Sequence, residues 1–102
     1  MQFIIIGHDG EDDGALARRL AAREGHIAIC DESQKNGNQL IGAAMLDDAG
    51  KMRGSVMIVD YPSRKELDAW LAKEPYVTGG VWKKIDVIPC KLGPSFEHLL
   101  KR

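Results

Sequence analysis

The sequence of 102 residues has few cysteines, few aromatic residues and no excess of charge of either sign. Cys30 and Cys90 lie far apart and lack the CxxC spacing of redox and zinc sites, so we expect two reduced thiols that pack in the interior. A formal net charge of -1 gives no electrostatic reason to expect nucleic acid or an anionic membrane as a partner. The expected partners are therefore a small organic ligand and a second copy of the chain.

Long apolar runs are absent as well. The apolar residues from Met1 to Gly7 lack a basic leader and stop at His8 and Asp9, which makes them too short for a signal peptide core or a membrane span. We therefore expect a protein that begins at Met1 and stays in the cytoplasm.

Motifs for cofactors and covalent catalysis are also missing. The stretch from Gly7 to Gly14 contains neither GxGxxG nor GxxxxGK[ST], and there is no GxSxG and no Cys-His pair at a recognisable spacing. Glu11, Asp12 and Asp13 carry oxygen ligands that Mg²⁺ or Ca²⁺ could use, but their spacing fits no EF-hand, and acidic residues favour a helix start. We expect no cofactor and no specific metal.

Hydrophobic patterning predicts four strands and two main helices. A first strand is followed by a long helix that ends at Asn36-Gly37, and Gly25 leaves open whether this is one helix or two. Ser63 and Glu66 form a capping box for the second helix, which Pro75 ends, and Pro89 is expected to close the fourth strand. Ser95 is a candidate cap for a last short helix. The predicted strands are 2–6, 40–46, 55–59 and 81–88, with the second and third joined by a turn at 47–51.

The order β-α-β-β-α-β is typical of a ferredoxin-like α+β fold with an antiparallel sheet and both helices on one face. We expect one domain over residues 1–102, with 91–102 as a C-terminal extension. The two helices leave the other sheet face uncovered, and the first and third strands are apolar on both sides. The sequence therefore predicts a homodimer that joins its sheet faces.

Several sequence features together resemble the YciI-like (YCII-related) family over Phe3 to about Lys91. The first strand ends in Asp9, and Arg23 and His26 lie three residues apart on the first helix. The second strand contains Gly42, and Gly50 and Gly54-Ser55 lie around the hairpin. Glu74-Pro75-Tyr76 precedes Gly79-Gly80 and a strand that ends in Pro89. The resemblance implies dimeric α+β barrels of ferredoxin-like subunits.

The resemblance also implies an active site in which a histidine on the first helix pairs with the aspartate of an Asp-Pro-aromatic motif. His26 matches the histidine, and Glu74 stands where the family has aspartate. Gly42-Ala43 replaces a common Gly-Pro, which predicts a different pocket wall. The implied chemistry is proton transfer without a cofactor on small hydroxylated aromatic or lactone-type compounds, by a lyase such as a dehydrochlorinase or by an isomerase.

Four further residues are candidates for substrate binding, and each has a structural alternative. Arg23 lies one helical turn from His26 and could bind a carboxylate, or it is a solvated surface arginine. Tyr76 could line the cleft or pack as a core aromatic. Ser55 could contact a ligand or cap the turn, and Asp9 could cap the first helix or lie in the pocket.

Three functions remain open on the sequence alone. His26 could act as a general acid or base with Glu74 orienting its ring. Alternatively, the same cleft could hold a metabolite without catalysis, or the chain could serve only as a dimerisation unit. The observation that distinguishes these interpretations is whether His26 and Glu74 meet in one open pocket.

Overall fold

A computed structural model describes residues 1–100 of the chain. Its elements alternate as the hydrophobic pattern predicts, with one additional short helix. They are β1 (Gln2–Asp9), α1 (Ala15–Lys35), β2 (Gln39–Leu46), β3 (Met52–Asp60), α2 (Arg64–Leu71), α3 (Pro75–Thr78), β4 (Trp82–Cys90) and a 3-10 helix (Pro94–Leu99).

The four strands form one antiparallel sheet in the order β2-β3-β1-β4. Ile5 in the centre of β1 pairs with Met57 of β3 on one side and Val87 of β4 on the other. Successive side chains of a strand point to opposite faces, so one set from each strand packs under the helices. The core on that face includes Phe3, Ile5, Met57, Val59, Leu67 and Leu71. This arrangement confirms the predicted ferredoxin-like α+β fold.

The opposite sheet face is apolar and only partly covered within residues 1–100. Ile4 in β1 and Ile58 in β3 are half-buried there, and Ile88 in β4 is 45% exposed. Phe96 and Leu99 of the 3-10 helix border a cavity of about 380 Å³ on this face. The uncovered surface matches the expectation from the strand pattern.

Helix α1 is continuous, which answers the question that Gly25 raises. A Cβ atom at Gly25 would lie 3.3 Å from Cγ of Pro75. The absence of a side chain therefore allows the start of α3 to pack against the middle of α1. Gly25 costs some helix propensity, but it brings the segment that begins at Glu74 close to the helix.

Other element ends differ from the predictions for local reasons. Strand β4 continues through Pro89 to Cys90. It is an edge strand, so the N–H that proline lacks is not needed on the side that has no neighbouring strand. Ser63 occupies the N-cap of α2, but its hydroxyl donates to Oε2 of Glu66 at 3.1 Å rather than capping the backbone. Gly93, not Ser95, is the N-cap of the 3-10 helix.

The loop predicted after Pro75 is instead the short helix α3. The predicted C-terminal extension includes residues 101 and 102, which lie outside the described residues. Over residues 1–100, no helix combines the length and apolar character that a membrane crossing requires.

Candidate functional site

A cavity of about 390 Å³ lies between α1 and the edge strand β2. This volume falls in the lower part of the range of roughly 300–1,000 Å³ that small-molecule sites occupy. Helix α1 supplies one wall, and the strands β2 and β3 supply the other. The polar side chains that line it include Arg19, Arg23, His26, Gln39, Ser55 and Tyr76.

His26 and Glu74 form a hydrogen-bonded pair behind the wall of this cavity. Nδ1 of His26 lies 2.9 Å from both carboxylate oxygens of Glu74. Glu74 is completely buried, whereas the His26 side chain keeps 16% of its surface exposed. Glu74 is also the N-cap of α3, because its Oε1 accepts the backbone N–H of Tyr76 at 3.0 Å. The carboxylate is therefore fixed by the local fold, and it favours the ring tautomer that carries its proton on Nδ1.

The faces of the His26 ring are covered by two neighbours. Tyr76 stacks on the imidazole with a centroid separation of 3.8 Å and an interplanar angle of 10°. The Cys30 sulfur lies 3.8 Å from Nδ1 and 3.6 Å from Nε2. A sulfur in line with the Nε2 lone pair would be much closer to Nε2 than to Nδ1, so these near-equal distances place it over the ring face. Nε2 therefore has no in-line contact with this sulfur, and the His26 ring lines the cavity.

Arg19 is buried beside this pair and is held by three other groups. Its Nη1 donates to both oxygens of Asp9 at 3.0 and 3.1 Å, and its Nη2 donates to the Ser55 hydroxyl at 2.9 Å. Its guanidinium carbon lies 4.7 Å from the centre of the Tyr76 ring. The charge of Arg19 is therefore compensated by Asp9, and its fork is fixed in position.

The structure corrects two of the alternatives for these residues. Asp9 does not cap α1, since the N-cap position is Gly14 and the Asp9 carboxylate is paired with Arg19. Ser55 does not cap the hairpin turn, where Asp47 accepts the backbone N–H groups of the turn instead. Ser55 lines the cavity, while Asp9 lies behind Arg19 rather than in the lining.

The other two candidates also border the cavity. Arg23 is exposed at its edge, one turn from His26, and makes no ion pair with any of the residues 1–100. Tyr76 is buried against the His26 ring, and this burial raises the pKa of its phenol. The cavity is thus lined by four of the six predicted residues, while Glu74 behind His26 and Asp9 behind Arg19 are each one contact further away.

Among the residues of this cavity that sequence reasoning missed are Arg19, Cys30 and Gln39. Arg19 and Cys30 share a helical stripe with Arg23 and His26, at successive spacings of four, three and four residues, so the sequence did carry a signal for them. Gln39 had no signal beyond being a polar residue at the start of a strand.

Cys30 packs as a free thiol, as expected, but it does so against the candidate histidine. Burial raises its pKa from 9.0 to about 11, and the charge of Glu74 acts in the same direction. A thiol with such a pKa stays protonated near neutral pH, which disfavours a resting thiolate nucleophile.

The acidic residues just before α1 do not line this cavity. Asp12 accepts two hydrogen bonds from the guanidinium of Arg18. Nε2 of His8 lies 3.0 Å from Asp86 on the uncovered sheet face. In the part of the chain that the structure describes, no three His, Cys, Asp or Glu side chains come together as a candidate metal site.

Comparison with solved structures supports the fold. A 5-chloro-2-hydroxyhydroquinone dehydrochlorinase from Burkholderia phenoliruptrix, solved with 2,5-dihydroxybenzoquinone, has a TM-score of 0.78 at 23% identity over 93% of this chain and 98% of its own. A dimeric ferredoxin-like protein of unknown function from Jannaschia has a TM-score of 0.50 at 13% identity, covering 89% of this chain and 98% of its own.

Sequence comparison places the chain in a family. A YciI protein of Escherichia coli is 30% identical over 97 residues, which cover 89% of this chain and 97% of that protein. An uncharacterised protein of Haemophilus influenzae is 31% identical over 98 residues, with the same coverage of 89% and 97%. Residues 1–91 match the YCII-related domain. This chain therefore belongs to the YCII-related family.

Proposed function

We propose that this protein is a small cofactor-independent enzyme of the lyase or isomerase type, which transfers protons on hydroxylated aromatic or lactone-type compounds. The observation that carries the proposal is the orientation of His26. Its Nδ1 contacts the buried Glu74, and its ring lines a cavity large enough for a small organic molecule. A histidine held in this way has one nitrogen fixed and the other available for proton transfer.

The proposed reaction begins with proton removal by Nε2 of His26. The imidazolium that forms is stabilised by the buried carboxylate of Glu74 at 2.9 Å from Nδ1. In a lyase, the electron pair left on the substrate expels a leaving group such as chloride. In an isomerase, Nε2 returns the proton to a different carbon of the same molecule.

The cationic residues are suited to the charge that develops on the substrate. Arg23 has no carboxylate partner within residues 1–100 and borders the same cavity, so its guanidinium is available for a carboxylate or enolate oxygen. Arg19 is positioned by Asp9, Ser55 and Tyr76 and adds donors at the inner wall. The dehydrochlorinase of the same fold acts on a hydroxylated ring, which makes such compounds the first substrates to test.

The proposal is tested by turnover on a panel of chlorinated hydroxyquinols, hydroxylated aromatic acids and lactones. We expect His26→Ala to lower kcat/KM by roughly 10²–10⁴-fold, the usual contribution of a general acid or base. We expect Glu74→Gln to reduce kcat more than it changes KM, because the carboxylate stabilises the imidazolium rather than the bound substrate.

His8→Ala is the matched control, because His8 also contacts a carboxylate but lies on the opposite sheet face. It should keep wild-type turnover. Two results would exclude the catalytic role and support a binding domain instead. In the first, the wild type binds a panel member but does not turn it over. In the second, His26→Ala turns over the substrates as fast as the wild type.

We also infer that the protein is a cytoplasmic homodimer joined through the uncovered sheet faces. The apolar surface around Ile4, Ile58 and Ile88 supports this, and the neighbour from Jannaschia is a dimeric ferredoxin-like protein. Burial of this surface removes apolar area from water, which is the main driving force of such association.

A further inference from the structure

The cavity beside His26 has two ends of different polarity. Its lining extends along α1 from Arg19 to Gln34, a distance of about four helical turns. Ser55, which accepts from Arg19, pairs with Ala44 near the far end of β2, whereas Gln39 is the first residue of that strand. Arg19 and Arg23 therefore lie on one side of His26, and the Gln39 amide lies on the other, beside Cys30 and about two helical turns from Arg23.

Each end contains a buried polar atom without a hydrogen-bond partner in residues 1–100. At the arginine end this atom is Nε of Arg19, a donor, and at the other end it is Oε1 of Gln39, an acceptor. The two residues are only 3% and 8% exposed. Such unpaired buried groups are rare in folded proteins and require an explanation.

The position of the Gln39 amide is determined by its neighbours. Its Nε2 lies 2.9 Å from the point where a Cβ atom at Gly42 would be, so the glycine makes room for the amide across β2. The side chain also hydrogen-bonds the Cys30 sulfur, which in turn contacts His26. Oε1 remains without a partner, as the acceptor that a ligand hydroxyl can use.

We propose that the cavity binds its substrate lengthwise, and that Gln39 selects a substrate hydroxyl. The ligand class is a small hydroxylated carboxylic acid, with its carboxylate toward Arg19 and Arg23 and its hydroxyl donating to Oε1 of Gln39. This inference rests on the proposed function for the placement of the reacting atoms next to His26. Beyond the proposed function, the inference says which residues recognise each end of the substrate.

A matched ligand pair tests the selection by calorimetry. 4-Hydroxybenzoate and benzoate differ only in the hydroxyl, and we expect the wild type to bind the first about tenfold or more tightly than the second. A site built to accept a hydroxyl discriminates against the analogue that lacks it, because its buried acceptor is then left unpaired. In Gln39→Met, which keeps the length of the side chain and removes the amide, the two affinities should be equal within about twofold.

Gln34→Met is the control, since Gln34 lines the same cavity but is exposed. It should keep the wild-type preference. Gln39→Leu serves as a second variant if Gln39→Met does not fold. The inference is overturned if the Gln39 variant keeps the preference, if the wild type has none, or if neither acid binds at millimolar concentration.

The same titration in His26→Ala separates this inference from the proposed function. The preference for the hydroxylated acid should persist there even though turnover is lost. If the wild type never turns over any panel member but still shows the Gln39-dependent preference, only the catalytic proposal fails. If it turns over substrates and shows no such preference, only the present inference fails.

Discussion

At the scale of single residues, Cys30 is the member of the site whose chemistry is most altered by its surroundings. Burial and the charge of Glu74 raise its pKa from 9.0 to about 11. The folded protein therefore retains the thiol proton between these two values, where the unfolded chain has lost it. The resulting contribution to stability is fully present below about pH 9 and is lost as the pH rises toward 11.

Alkylation by iodoacetamide at pH 8 measures this shift, in a Cys90→Ser variant that leaves Cys30 as the one thiol. A pKa higher by two units lowers the thiolate fraction roughly 100-fold, so native Cys30 should react about that much more slowly than the same chain in urea. The stability of this variant should also fall more steeply between pH 9 and 11 than that of the variant with both cysteines replaced by serine. Equal alkylation rates in the native and unfolded chains would contradict the assignment.

Single residues also differ in how far the sequence could predict them. The pair of His26 and Glu74 was predictable because the family resemblance names both positions. Arg19 was not identified, since a pattern of charges does not reveal that a particular arginine is buried over a tyrosine ring and paired with Asp9. Such a role depends on contacts between β1, α1 and α3, which the local sequence does not specify.

At the scale of elements, the packing of α3 on α1 determines whether the site assembles. Gly25 permits this contact, because a Cβ there would already be 3.3 Å from Pro75. Pro75 is flanked by Glu74 and Tyr76, which contact the imidazole of His26 in its plane and on its face. A larger side chain at position 25 should push α3 away and separate both residues from His26.

We therefore expect Gly25→Val to destabilise the protein by roughly 1–3 kcal/mol, the usual range for overpacking, and to weaken the stacking on His26. The free energy of unfolding in urea and the ring-current shift of the His26 resonances measure the two effects. Ala21→Val, at an exposed position one turn earlier on α1, should change stability by about 0.5 kcal/mol or less and leave the resonances in place. A shift of the His26 resonances as large in Ala21→Val as in Gly25→Val would rule out the packing explanation.

The order and type of the main elements could be predicted from periodicity, glycines and prolines, whereas α3 could not. Its four residues contain no helical repeat, and it forms because Glu74 caps it and Gly25 accommodates Pro75. The extension of β4 past Pro89 was missed for a related reason. Whether a strand is an edge strand is a property of the sheet and not of the strand's own sequence.

At the scale of the whole molecule, the uncovered sheet face determines the expected assembly. A stable interface buries roughly 800 Å² on each partner, which is about an eighth of an accessible surface of 6258 Å². The apolar side chains on that face include Ile4, Ile58 and Ile88. The proposed dimer would bury the exposed Ile88, which a monomer leaves in contact with water.

Ile88→Lys should convert the proposed dimer to a monomer at micromolar concentration, because it places a charge in the apolar interface, where it would have to be desolvated without a partner. Leu20→Lys is the matched control, since Leu20 is similarly exposed, at 53% against 45%, but lies on α1. Sedimentation equilibrium should give the mass of two chains for the wild type and for Leu20→Lys, and of one chain for Ile88→Lys. A wild-type mass of one chain would contradict the dimer, and a dimer that persists in Ile88→Lys would move the interface away from this sheet face.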